Sequence, residues 1–167
     1  VSSPRIMNEI TVWDNVGFDL DLTPAREAAL NNMYVFKVTP ADLLKHPVAV
    51  QKWDSINFYE RNKSTRIGGA KWKMVEDKQI YGFAVFWNCV VAPGIELSTS
   101  PYGPPTHWDQ IFLPLTAEIT AKKGDEVEIT IKSDSRFTVG IVLTWESRLI
   151  REGKVVKTVK MDTRKGA

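Results

Sequence analysis

Thr106, His107 and Trp108 place an imidazole and an indole side by side on a loop that proline residues delimit. Ser98-Thr99-Ser100-Pro101 leads through Pro104-Pro105 into Thr106-His107-Trp108-Asp109-Gln110, and the chain has only one other histidine. Proline cannot serve the hydrogen-bond ladder of a central strand, so this stretch reads as a surface loop. An imidazole held there can bridge two bodies by hydrogen bonding, and an indole can wall off a planar cation. The structural alternative is that His107 and Trp108 cap one end of a β-barrel.

Other chemistries have less behind them. A Ser–His–Asp arrangement from Ser98 or Ser100, His107 and Asp109 lacks nucleophile-elbow glycines, and His and Asp two apart in one loop rarely orient each other. Glu126 and Glu128 point to one side of a strand and read as solvated positions, not as a glycosidase pair. Cys89, the only cysteine, lies in Phe86-Trp87-Asn88-Cys89-Val90-Val91 and reads as a buried, unreactive thiol. One cysteine and two distant histidines give zinc no ligand set, so no metal is expected. His46 follows Leu43-Leu44-Lys45 and reads as a structural residue near a helix C-terminus.

The chain of 167 residues is about the length of one domain, and 43% hydrophobic with 25% charged residues is ordinary for a globular protein. It has no apolar run of about 18 residues to form a membrane span, and no basic start with an apolar run to serve as a secretion signal. A lone cysteine suits a reducing cytoplasm. A net charge of +2 does not by itself suggest nucleic acid. The basic residues gather late, at Arg148, Arg151, Lys154, Lys157, Lys160, Arg164 and Lys165, and read as a solvated edge strand whose lysines discourage aggregation.

The elements that must hold the loop read mainly as strands. Glu126 to Lys132 alternates cleanly, with Val127, Ile129 and Ile131 on one face, and the period resumes at Phe137, Val139, Ile141, Leu143 and Trp145. Lys123-Gly124 gives a turn before the first run, Ser133-Asp134-Ser135 is expected to join the two, and Glu152-Gly153 splits the last hairpin. Tyr81 to Val91 reads as one continuous strand covered on both faces and ended by Pro93-Gly94, and Gly68-Gly69 as a bend between strands. Two short helices are expected, one from the N-cap Thr23 through Pro24 to Leu30 and Asn31-Asn32, one from Thr39-Pro40-Ala41-Asp42 to His46-Pro47. Met33 to Val38 is a brief extended link between them. The fold expected is an antiparallel β-barrel or sandwich, a single domain over 1–167, with a helical arm inserted at 17–47.

In that order of elements the chain resembles the C-terminal barrel of protein arginine methyltransferases. Trp13-Asp14-Asn15-Val16-Gly17-Phe18-Asp19 resembles the segment that opens the family's dimerisation arm, without the tyrosine usual before the glycine. Val38-Thr39-Pro40-Ala41-Asp42-Leu43-Leu44 resembles the return from the arm, and STSP and THW follow in order, so the likeness runs over about residues 10 to 145. It implies that Trp13, Asn15, Gly17, Phe18, Asp19 and Leu30 belong to a dimerisation arm. It further implies that His107 pairs with an acidic residue of another domain and that Trp108, beside Thr106, walls the substrate guanidinium. Asp109 stands where the family often has a basic residue, whereas Gln110 matches.

The activity so implied is methyl transfer from S-adenosylmethionine to an arginine of a protein or peptide, by a homodimer. The chain shows no glycine-rich turn opening a helix and no glutamate pair for the guanidinium, so those parts are expected in a preceding Rossmann domain. The start at Val1 and the family's first barrel strand suggest a C-terminal piece of a longer chain, inactive alone. Two alternatives stand beside this. One is a free-standing β-barrel binding module using Trp108 and Tyr102, the other a methyltransferase relative with a non-arginine substrate.

Overall fold

The computed structural model describes residues 1–45, 49–138 and 140–166, the side chain of Asn15 excepted. Two helices, α1 (Arg5–Ile10) and α2 (Thr23–Leu30), precede strands β1 (Tyr34–Phe36), β2 (Thr65–Lys73), β3 (Lys78–Val85), β4 (Asn88–Ala92), β5 (Ile95–Ser98), β6 (Gln110–Ala121), β7 (Glu126–Phe137), β8 (Gly140–Arg151) and β9 (Lys154–Asp162). The strands pair antiparallel as three sheets, β1-β6-β3, β2-β7-β8-β9 and the hairpin β4-β5. The two larger sheets pack face to face as a sandwich. Lys157 on β9 donates to the carbonyl of Glu118 on β6 at 2.6 Å, but no ladder joins the two strands and the sheets do not close into a barrel.

Alternation builds the main core. Val127, Ile129 and Ile131 of β7 all face inward with Trp145, Leu149, Val159 and Met161, against Ile80, Phe83, Leu113 and Leu115 of the other sheet. Trp145 is fully packed and its indole N–H donates to the Pro114 carbonyl at 2.8 Å, which leaves no polar atom of the ring orphaned. A proline in a central strand is tolerated because Pro114 lies opposite a bulge, where the β3–β6 register shifts between Ile80 and Gly82. There Gly82 is required, since a Cβ would sit 2.4 Å from the Leu113 carbonyl oxygen.

A second, smaller core lies on the outer face of β6. Phe112 points there, opposite to Leu113, and meets Ile6, Met7 and Ile10 of α1, Leu30 of α2 and Val38. No strong local signal announces α1, whose six residues have neither a side-chain cap nor an acidic first turn; its apolar face packing on Phe112 holds it. Arg5 ties it down further through a two-point contact with the buried Asp42, at 3.1 and 2.8 Å. Burial pushes Asp42 upward, but the hydrogen bonds from Arg5 and Thr39 outweigh it and keep the carboxyl well below the usual range. Val1 joins the edge of β3, its amine donating to Gly82 at 2.7 Å and its carbonyl accepting from Tyr81 at 3.0 Å.

Several expectations need correction. Ser133–Ser135 stays in the ladder, with Ser133 opposite Leu143 and Asp134 opposite Val142, and pairing runs on to Phe137 and Gly140. The polar run is tolerated at this sheet position because Asp134 takes both the N–H and the guanidinium of Arg136, while Ser135 bonds to Ser64. Val139, His46 and Pro47 lie outside the described residues. Tyr81–Val91 is two strands in different sheets, since Thr99 binds the backbone of Trp87 on both sides and diverts the chain. Val90 and Val91 are exposed on the resulting hairpin, and Cys89 is half-buried instead of buried.

Gly68 and Gly69 lie within β2, where the Trp53 carbonyl occupies the space beside Gly68 and the Ile129 carbonyl crowds Gly69. Asp42 accepts from the Thr39 N–H at 2.9 Å and hydroxyl at 2.8 Å, but only a single 3-10 turn, Pro40–Asp42, follows, because Leu43 is already extended. The residue before α2 is Leu22, and Thr23 lies inside the helix with its N–H held by Asp21 at 3.0 Å. Within 17–47, the short strand β1 pairs with β6, and the chain leaves the sheets again after Phe36. Glu126 and Glu128 do face one side, half-buried, and share Lys71 at 3.1 and 2.7 Å.

Candidate functional site

β6 begins at Gln110, so the ladder to β1 and β3 fixes where the Thr106–Trp108 loop must end. Gln110 is buried, and both ends of its amide are used. Its Oε1 accepts from the Val38 N–H at 2.8 Å, and its Nε2 donates to the Thr99 carbonyl at 2.8 Å. Thr99, buried in turn, donates its N–H to the Trp87 carbonyl at 3.0 Å and accepts from the Trp87 N–H on its hydroxyl at 3.1 Å. The return from the arm and the STSP segment therefore meet at one side-chain amide, and Thr99 links them on to Trp87, just past the end of β3.

Beyond Thr99 the loop is wound by its own hydroxyls. Ser98 accepts from the Ser100 N–H at 3.1 Å and donates to Asn88 at 2.6 Å, and Ser100 accepts from the Tyr102 N–H at 3.3 Å. Tyr102 donates its hydroxyl to the Leu44 carbonyl at 2.7 Å, and its burial raises the phenol pKa. Thr106 donates to the Trp108 carbonyl at 3.0 Å across His107, which lies at a bend. This short closure puts His107, Trp108 and Asp109 at the surface, and neither His107 nor Asp109 has a hydrogen bond or ion pair to another described residue.

Trp108 is 52% exposed, and its ring centre lies 5.9 Å from that of Trp87, the planes inclined at 58°. Trp87 is the site residue that the sequence pattern hides. It sits in an apolar run that reads as a continuous strand, and only the Thr99 contacts turn it out beside Trp108.

The arm residues separate into two groups. Trp13 and Phe18 are exposed, Phe18 at 90%, with Gly17, Phe18 and Asp19 all at positive φ of 80°, 63° and 51°. Asp14 pairs with Arg26 at 2.8 Å and ties the arm's 3-10 turn, Val12–Asn15, to α2. Leu30, by contrast, is fully buried in the second core and anchors the arm instead of lying at its surface.

An antiparallel sandwich carrying a short helical arm and a Thr-His-Trp loop at the head of its central strand defines the class. Over residues 3–148 the chain matches the arginine methyltransferase oligomerization subdomain, and it belongs to that family. It is 34% identical over 108 residues to protein arginine N-methyltransferase 6 of Xenopus tropicalis, covering 62% of this chain and 31% of that protein. To protein arginine N-methyltransferase 6 of Xenopus laevis it is 29% identical over 133 residues, covering 73% and 38%. The chain thus spans about a third of the length of these relatives. A solved Trypanosoma brucei PRMT1 enzyme–prozyme heterotetrameric complex with AdoHcy has the same fold, with a TM-score of 0.73 at 16% identity, covering 97% of this chain and 53% of that one.

Among the described residues the glycine pair does not build a site for the methyl donor that the family implies: it is locked inside β2 with carbonyls filling the space a ligand would need, and no α-helix follows it. Among the described residues no group of three or more His, Cys, Asp or Glu could hold a metal ion. No helix of the described residues is long and apolar enough to cross a membrane.

Proposed function

We propose that this chain is the oligomerisation and substrate-proximal part of an S-adenosylmethionine-dependent protein arginine methyltransferase. Membership of the oligomerization subdomain family over residues 3–148 carries this reading. The donor site and the carboxylates that hold the guanidinium belong to a separate Rossmann domain, so the chain alone is inactive. Thr106 positions the loop, His107 bonds to an acidic residue of that domain, and Trp108 walls the substrate. The exposure of His107 and Trp108 on a loop fastened from behind supports this, because both side chains are free to meet another body. Their part is orientation and exclusion of water, with no covalent step.

The arm serves dimerisation, through Trp13, Asn15, Gly17, Phe18 and Asp19, with Leu30 anchoring it to the sandwich. Phe18 held out in left-handed backbone supports that role, because such a ring gains by being covered. A reducing cytoplasm fits the single free Cys89. The test is methyl transfer to an arginine peptide by the full-length protein and its His107→Ala variant. At least a tenfold loss is expected with the fold retained. Wild-type turnover in the variant would remove His107 from the site.

A further inference from the structure

The segment that follows β9 reaches back to the root of the arm. β9 stays paired with β8 as far as Asp162, opposite Thr144, and the Thr163 hydroxyl accepts from the Leu143 N–H at 3.1 Å. The segment therefore departs from the four-stranded sheet. Through one 3-10 turn, Thr163–Lys165, it meets α2, whose Leu30 packs on the other sheet beside Phe112. There the Asp162 N–H donates to the Asn31 side-chain oxygen at 2.9 Å, and the Asn32 amide donates to the Gly166 carbonyl at 2.8 Å. The approach is close enough that a Cβ on Gly166 would stand 2.7 Å from Asn32 Nδ2 and 2.9 Å from the Ala28 carbonyl oxygen.

This contact has leverage because α2 is held by little else. Eight residues are too few for a helix to persist by itself in water, and Leu30 is the one residue that α2 buries. Its last carbonyls are where the fold grips it. Glu27 accepts from the Asn31 amide at 2.9 Å, Ala29 accepts from the Tyr34 hydroxyl at 2.7 Å, and Gly166 packs against Ala28. Asp14 and Arg26 then tie α2 to the turn that leads to the exposed Phe18. A helix pinned at its end presents that ring in one orientation. Released, it would sample many, and ordering them again would count against association.

We propose that residues 162–166 form a strap that fixes the pose of the arm on the sandwich, with Asn31, Asn32 and Gly166 as positioning residues for self-association. The link to self-association rests on the arm being the dimer contact, whereas the strap itself does not.

The test is backbone amide exchange in the 167-residue chain and its Gly166→Val and Asn32→Ala variants. Gly166→Val forces the strap away from Ala28. The hydrogen-bonded amides of Arg26 and Asn31 should then exchange about tenfold faster, while those of β7 and β8 keep their rates. Asn32→Ala removes a single bond and should accelerate the same two amides about threefold. Unchanged exchange in α2 with Gly166→Val, or an equal acceleration in β7 and β8, would overturn the strap. In the full-length protein, light scattering should show the dissociation constant of self-association rising about tenfold in Gly166→Val. Faster exchange in α2 with self-association unchanged would defeat the dimer reading of the arm and leave the strap standing.

Discussion

Gln110 and Val38 are joined across 72 residues by a buried hydrogen bond of 2.8 Å, from the Val38 N–H to the Gln110 side-chain oxygen. The same amide reaches Thr99 with its other end, so the exit of the arm and the base of the loop share one support. A support of this kind has measurable consequences.

Gln110→Leu leaves the Val38 N–H and the Thr99 carbonyl buried without partners and should cost about 3 kcal/mol. Gln110→Glu keeps the acceptor for Val38 but can donate to Thr99 only when protonated. Its folded-state pKa is therefore raised, and its stability should be greatest below about pH 4 and fall as pH rises toward neutrality. Denaturant unfolding of both variants at several pH values checks this. A Gln110→Glu variant with flat pH dependence would mean that the Thr99 bond contributes little.

Asp125 should shape the acid limb. Two hydrogen bonds from Arg151, at 2.9 and 2.7 Å, and the Lys122 N–H lower its pKa from 3.8 to about 2, outweighing its burial. Its contribution is present above pH 3.8 and lost as pH falls to about 2. Asp125→Asn should unfold more easily at pH 6 and show a shallower acid transition, which circular dichroism would follow.

Phe18→Gly removes an exposed ring and relieves left-handed backbone at a non-glycine residue. The stability of the chain should stay the same or rise by up to about 1 kcal/mol. Self-association of the full-length protein, measured by light scattering, should weaken. Unchanged association would take Phe18 out of the dimer contact.

The sequence alone determines what a few neighbouring residues can settle. The period of β7, the Glu152-Gly153 turn with both residues at positive φ, the Thr39–Asp42 cap and the surface character of the THW loop all follow from local pattern and turn chemistry. What only the tertiary structure decides depends on partners far along the chain. Whether Leu30 faces solvent or core, whether the sheets close, and where the run from Tyr81 breaks are matters of packing. The meeting of Trp87 with Trp108 is the clearest case, since it hangs on a threonine 12 residues from Trp87 that is itself held by Gln110. Side-chain periodicity encodes which face of an element is apolar. It does not encode which other element will cover that face, because burial and hydrogen-bond satisfaction are settled only when all the elements compete for the same space.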